Sequence, residues 1–382
     1  MTLAITGARV LLADGAISRQ SVTIEGGMIA AIGTDHSSPK LAADGLLLLP
    51  GIVDLHGDAF ERQLMPRPMV SFPADIALLD TDRQLLANGI TTALHGVTWS
   101  WEPGLRGRQA AVELRDALIR LRPHLGCDTH LHLRFETFNI AAADEILTWL
   151  EAGTIKLLAF NNHLPAMQRR LGSPAKLAQY AERAQLSVAD FATLIQDTAG
   201  QAEQVPSVTE KLAATARQCA VALASHDDAT PAMRRHFQAL GCALCEFPMN
   251  VETAEEARTL GSAVIMGAPN VLRGGSHQDN GIAAVTLIAA GLVDVLASDY
   301  YYPALFQAAF RLVREHVLDL PAAWTLVSAN PARLGGFSDR GQIAAGRRAD
   351  LVLVNDDDPA LPRIMAVFAA GRLVHSAPGF AP

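Results

Sequence analysis

In the stretch PGIVDLHGDAFERQ (50–63) an apolar run breaks at His56 and Asp58, an imidazole and a carboxylate two residues apart. The same ending recurs along the chain. Other apolar runs carry or finish in His95 (ITTALHGVT), Glu136 (THLHLRFE), His163 (KLLAFNNH), His226 with Asp227 and Asp228 (VALASHDDAT), Glu246 (ALCEFPMN) and Asp299 (VLASDYYYP). Taken singly, a histidine after an apolar run is an ordinary loop hydrogen-bonder. Repeated over seven runs, these imidazoles and carboxylates form a ligand set for one or two divalent ions with an open position for water. The candidate ligands are His56, Asp58, Glu136, His163, His226 and Asp299; zinc is the first expectation, with manganese or iron as alternatives. Glu136 is the best bridge, because so apolar a strand otherwise has little reason to end in a carboxylate. Asp299 is the catalytic candidate, placed to ligate and to take the proton of an attacking water.

The elements that must position these residues can be read from the pattern. Buried-strand candidates lie at 51–55, 90–97, 127–135, 154–160, 220–225, 242–247, 263–267 and 293–298, most separated by helical segments such as DTDRQLLANG and RQAAVELRDALIRLRP. Eight such units within 50–336 predict an α/β fold, a (β/α)8 TIM-like barrel. Barrel enzymes carry their chemistry just past the C-terminal strand ends, which is where the candidates fall. Residues 161–219 are too long for one unit and predict a helical insertion, a lid or an oligomerisation element. Short alternating runs with Gly and Asp at 1–49 and again at 337–382 predict one composite, sandwich-like β-domain built from both termini.

Half the residues are apolar, 18% are charged and the net charge is −8. That balance describes a compact soluble protein and argues against nucleic acid or an anionic membrane as partner. The most apolar window, GIAAVTLIAAGLVDVLAS, is broken by Gly291 and Asp294 and falls short of a spanning helix. No signal-peptide pattern opens the chain, so a cytoplasmic protein is expected. Cys242 and Cys245 have C-x-x-C spacing but sit in an apolar run without a second pair, which favours core packing over metal binding.

An anionic substrate needs fixed cations and N–H donors. NVLRGGSH (270–277) offers Arg273, Ser276 and His277 beside two glycines, although it lacks the G-K-[ST] of a Walker A loop. Arg67 stands between two prolines in MPRPM, which limits the directions it can take. Arg134, on the same strand face as Glu136, either meets substrate or neutralises buried carboxylates. Tyr300 to Tyr302 either pack on a sugar or form a packed rim.

PGIVDLHGD followed by GITT, the lone Asp of ASD and the closing ADLVLV resemble the amidohydrolase superfamily. Longer blocks resemble one narrow family within it, the α-D-ribose 1-methylphosphonate 5-triphosphate diphosphatases. They are MPRPMVSFPA (65–74), HLHLRFE (130–136), LASHDDAT (223–230), MGAPNVLRGGSH (266–277) and SDYYYPA (298–304). The resemblance implies metal-dependent hydrolysis of a small phosphorylated substrate, a ribose 5-triphosphate bearing a C1 methylphosphonate, to the 5-phosphate and pyrophosphate. It departs from the superfamily's usual His-x-His in having His56-x-Asp58, and its strand-four lysine, Lys156, lies too early in the strand to bridge two ions. The rival expectations are attack on a C–N bond, by a cyclic amidase or deaminase, and a non-catalytic metal-binding protein. By analogy with other such barrels a homodimer is expected.

Overall fold

The computed structural model describes residues 2–33, 39–67, 69–276 and 281–380. Its centre is a sheet of eight parallel strands: Ile52–Gly57, Ile90–Trp99, Asp128–Glu136, Ile155–Asn161, Ala222–His226, Leu244–Glu246, Ala263–Gly267 and Val295–Ala297. They neighbour one another in chain order, and a parallel bridge between Gly57 and Asp299 brings the eighth back to the first. All eight predicted strands are present, and the fold is the α/β barrel expected from the sequence. Val53, Leu55, Leu94, Leu157, Ala159, Ile265 and Val295 fill the interior, with Phe337 against its floor. The barrel is therefore a packed core and not a pore, which confines chemistry to its ends.

The closing seam is specific. Asp54, wholly buried in the first strand, accepts from the Ser298 hydroxyl (2.5 Å), Ser298 N (3.1 Å) and His56 N (3.2 Å). Burial raises its carboxyl to about 6 against these hydrogen bonds. Gly57 is required here: a Cβ would lie 2.7 Å from Asp54 Oδ2 and 2.8 Å from the Ser298 hydroxyl.

The terminal segments form two further sheets. One takes the order Arg372–Ser376, Arg363–Ala369, Leu351–Asn355, Leu47–Pro50, Arg9–Leu11 and Ile17–Arg19, so both ends of the chain share it. The other contains Met28–Ile32, Val22–Glu25, Thr2–Thr6 and Lys40–Ala42. Ile5, Val10, Ile24, Leu48, Leu351 and Phe368 share one core with both. Leu47–Pro50 runs on through Gly51 into the first barrel strand, so this sheet delivers the chain directly to the site.

The chain between the fourth and fifth strands is helical, with a division the sequence pattern did not show. Leu164–Gln168, Pro174–Arg183 and Val188–Ala199 surround a small core of their own, including Leu177, Phe191 and Ile195. The next helix, Val205–Gln218, packs Leu212, Ala213 and Ala216 into the core outside the barrel and is the barrel's own helix. The added element is thus 164–199. Cys242 and Cys245 are buried and unbridged, and burial raises both thiols. Among the described residues no helix is long and apolar enough to cross a membrane; the apolar window divides into the short helix Ala284–Ala289 and the eighth barrel strand.

Candidate metal centre

Three strands end in the same unusual turn. Asp227, Phe247 and Asp299, following strands five, six and eight, have φ of 58°, 54° and 54°. A left-handed non-glycine residue costs about 1–2 kcal/mol, and here each is held by a hydrogen bond to the neighbouring strand. Asp227 N donates to Glu246 O (2.9 Å), Phe247 N to Ile265 O (2.9 Å) and Asp299 N to His56 O (2.8 Å), while Asp58 N returns a bond to Asp299 O (2.9 Å). The turns bring Asp227 and Asp299 onto the wall of one cavity of about 340 Å³.

Donor atoms converge there in three overlapping groups: His56, Asp58 and Asp299; His56, His226 and Glu246; and His163, His226 and Asp227. Within each group they lie within 4.8 Å of one another. His56 and His226 belong to two groups each, and their rings stack at 5.2 Å. His56 Nδ1 lies 3.0 Å from Glu246 Oε1, yet the two are not aligned for a hydrogen bond, and neither atom nor His56 Nε2 has a hydrogen-bond partner. Burial, helped by the Arg134 charge, lowers the His56 imidazole to about 3 and His226 well below its ordinary value. Neutral imidazoles facing carboxylates, His56 with neither ring nitrogen hydrogen-bonded and His226 held by Glu246 (3.1 Å) and Arg134 (3.1 Å), are a donor set a divalent cation requires. Burial pushes Asp299 well up, with the Asp58 charge adding to it, and burial raises Glu246. A cation would relieve both. These residues fit a metal ion.

Arg134 lies inside this cluster. Its Nη1 donates to Asp58 Oδ2 (2.8 Å) and Nη2 to His226 Nε2 (3.1 Å). Asn161, with its amide oxygen turned toward the guanidinium, accepts from Nε at 3.3 Å. Gly96 makes the room: a Cβ there would lie 3.3 Å from Arg134 Cδ and 3.5 Å from the His56 ring. Of the two roles open to Arg134 in the sequence, this placement supplies charge balance for Asp58 and still leaves the residue on the cavity wall.

The structure does not bring Glu136 into any of the three groups. It is tied instead to His163, through the His163 Nδ1–Glu136 Oε1 contact and a bond from His163 N to Oε2 (3.1 Å). Although burial opposes it, the His163 charge and these hydrogen bonds hold Glu136 at about 2. Glu246 and Asp227, to which the sequence assigned no role, do join the groups. His132 also belongs to the neighbourhood, its Nδ1 on Leu55 O (3.0 Å) and its Nε2 3.9 Å from Glu246 Oε1. Alternation with Arg134 and Glu136 along one strand was the signal that could have found it. His95 packs on Phe60 (5.4 Å) outside the cluster. Asp228 is structural: buried, it accepts from Ser225 Oγ (2.6 Å) and Arg234 (3.1 Å). Lys156 sits over the Phe337 ring (4.7 Å) on the barrel floor.

Among the described residues, the cations lining the cavity do not include Arg67 or Arg273. Arg62, Arg106 and Arg134 line it, as do Ser276 and Tyr300. Arg67 is exposed in a short bridge with Val70 and off the cavity wall. Arg273 donates outside the wall to the Tyr300 hydroxyl (3.4 Å), and His277 lies outside the described residues. Tyr302 is buried and Tyr301 exposed, so only Tyr300 of the three faces a ligand. Nothing in GLRGRQ marked Arg106, since a polar loop with two arginines reads as solvated.

A family model described as the amidohydrolase family matches residues 83–375. The chain belongs to this family. This amidohydrolase is 34% identical over 357 residues to the α-D-ribose 1-methylphosphonate 5-triphosphate diphosphatase of Escherichia coli (strain K12), covering 91% of this chain and 94% of that protein. Solved structures of similar fold include a prolidase complexed with N-methylphosphonate-L-proline, with a TM-score of 0.67 and 14% identity over 99% of this chain and 100% of that one. A dihydropyrimidinase from Brevibacillus agri NCHU1002 aligns with a TM-score of 0.61 and 14% identity, over 98% and 95% of the two chains. At such identities the two structures speak to the fold of this amidohydrolase alone.

Proposed function

We propose that this amidohydrolase is a metal-dependent diphosphatase that cleaves a ribose 5-triphosphate bearing a C1 methylphosphonate, releasing pyrophosphate and leaving the 5-phosphate. The observation that carries the reading is the cavity itself: a cation-fitting donor cluster shares about 340 Å³ with Arg62, Arg106 and Arg134, in a chain of net charge −8. A C–N hydrolase has no need of three guanidinium groups on one wall. The extended identity to the E. coli diphosphatase supports the same substrate class.

His56, Asp58 and Asp299, with His163, His226, Asp227 and Glu246, would hold one or two divalent ions, zinc first. Such an ion supplies Lewis acidity at a phosphoryl oxygen and eases deprotonation of water. Asp299, on the cavity wall, accepts the proton of the attacking water. Glu136 engages His163 Nδ1 and so directs Nε2 toward Asp227 (3.9 Å) and the cavity. The pyrophosphate leaving group gathers negative charge as the anhydride bond breaks, and Arg106, Arg62 and Arg134 neutralise it. Ser276 offers a hydroxyl to a phosphoryl oxygen. Arg273 acts through Tyr300, and Arg67 stands outside the cavity wall.

A 31P NMR time course on metal-loaded protein with the C1-phosphonate triphosphate tests this. Signals for pyrophosphate and a 5-phosphate in a 2:1 ratio of phosphorus, lost on chelation and restored by zinc or manganese, are expected. Intact triphosphate, or hydrolysis of a cyclic amide in its place, would overturn it.

A further inference from the structure

The loop after the second barrel strand is locked in a way the barrel alone does not require. Ser100 N donates to Arg106 O (2.8 Å) and Asn139 Nδ2 to Ser100 O (2.9 Å), closing the loop on itself and on the loop after the third strand. Inside it, Glu102 is 3% exposed. Its carboxylate takes both of its strong contacts from Arg183 Nη2, at 2.8 and 2.6 Å. Arg183 belongs to the 164–199 insertion. Two more contacts press the insertion onto the same loop. Trp101 stacks on Phe191 at 6.1 Å, and Gly104, at φ +76°, is so close that a Cβ would lie 2.5 Å from Arg183 O.

The loop's product is Arg106. Its Nε and Nη2 donate to the two oxygens of Glu61 at 3.0 and 2.9 Å, and its side chain reaches the cavity. With those two nitrogens on Glu61, Nη1 is the edge left for a ligand. The charges alternate from the insertion to the donor cluster: Arg183, Glu102, Arg106, Glu61, Arg134, Asp58. Burial would raise Glu61, but the Arg106 charge and hydrogen bond, with the further charges of Arg183 and Arg134, hold it below its ordinary value. It is therefore a carboxylate that grips Arg106.

We propose that Arg106 is the specificity-determining contact for the substrate's phosphate chain, and that Arg183 is its positioning residue, so the helical insertion sets which anions the cavity accepts. The proposal rests on the diphosphatase reading of the same cavity. It is decided by binding, independently of turnover.

The experiment is calorimetric titration of inorganic pyrophosphate into the metal-loaded full-length protein and into R106K, R183M, R183K and the R106K/R183M pair. R106K keeps the charge and loses the fork, and should weaken binding about tenfold. R183M should weaken it nearly as much, R183K should recover part, and the pair should be little worse than either alone, because both act through one contact. Metal content should stay at the wild-type level, and in turnover R183M should raise KM more than it lowers kcat. Should R183M fail to fold, R183K and E102Q ask the same question with the insertion's packing intact. Wild-type affinity in R183M or E102Q, or losses that multiply in the pair, would overturn the proposal. If the wild type binds pyrophosphate but cleaves no triphosphate, the diphosphatase reading fails while the same affinities still decide the positioning claim.

Discussion

The two ends of the barrel are both crowded with charge and are built on opposite rules. On the floor, Asp128 meets Arg340 (2.7 Å), Arg348 (3.4 Å), Arg122 (3.3 Å) and His130 (3.1 Å), and Arg348 turns also to Asp350 (2.9 Å). Each group there has an opposite partner, and the network ties the third strand to the segment leading into the C-terminal sheet. On the rim, His56 and Glu246 approach to 3.0 Å without bonding, and burial, with the Asp58 charge added to it, raises the Asp299 carboxyl. Charge density therefore does not identify a site in this molecule. Convergence without full mutual satisfaction does, because such a donor set suits a cation.

The contrast can be broken in four places. The largest effect is expected for Asp299→Asn, which should lower kcat about 10³-fold while the metal-free protein keeps or gains thermal stability, since a carboxyl held far above its ordinary value has been neutralised. A variant that unfolds would put Asp299 with the structural charges. On the floor the order reverses: Asp128→Asn should cost about 3 kcal/mol of stability in urea titrations and leave the specific activity of folded protein unchanged. Its pH dependence has a definite sign. Burial raises Asp128, but the His130 and Arg340 hydrogen bonds and charges win and hold it below its ordinary value. Its contribution is thus complete above the unfolded value near 4 and is lost as pH falls toward the depressed folded one. Between pH 7 and pH 3 the wild type should lose more stability than the variant.

A smaller effect is expected at Gly96. In Gly96→Ala the new methyl presses on Arg134 and His56, and a penalty of about 1 kcal/mol should appear as several-fold lower kcat/KM with metal content retained. Arg67→Ala should change KM less than about twofold, as exposed charges away from a site do. A tenfold rise would restore Arg67 to the substrate and show that its loop closes over the cavity.

Much of this was readable in the sequence because barrel strands are short apolar runs with a fixed destination for whatever follows them. That rule singles out His56, Asp58, His163, His226 and Asp299, and all five fall in the converging groups. For Glu246 and Asp227 the sequence assigns no role, since spacing does not say which side chain a left-handed turn will aim inward. Glu136 was assigned as a bridge on type and position; its preference for His163 depends on a contact 27 residues away. The anion contacts were the hardest. Prolines beside Arg67 restrict its direction without revealing it, and Arg106 owes its place to Glu61, 45 residues distant, and to an insertion a further 60 to 90 residues along. The helix 205–218 was grouped with that insertion because helical periodicity shows a buried face and not what it is buried against.

The central claim is that the convergence on the rim, with the His56 ring and Glu246 Oε1 left without hydrogen bonds, is a metal centre and the ion-paired network on the floor is not. Anomalous diffraction at the zinc edge, from crystals of metal-loaded protein, tests it most directly. The account predicts one or two peaks bounded by His56, Asp58, His226 and Asp299. Peaks confined to the floor or to surface carboxylates, with none on the rim, would contradict it.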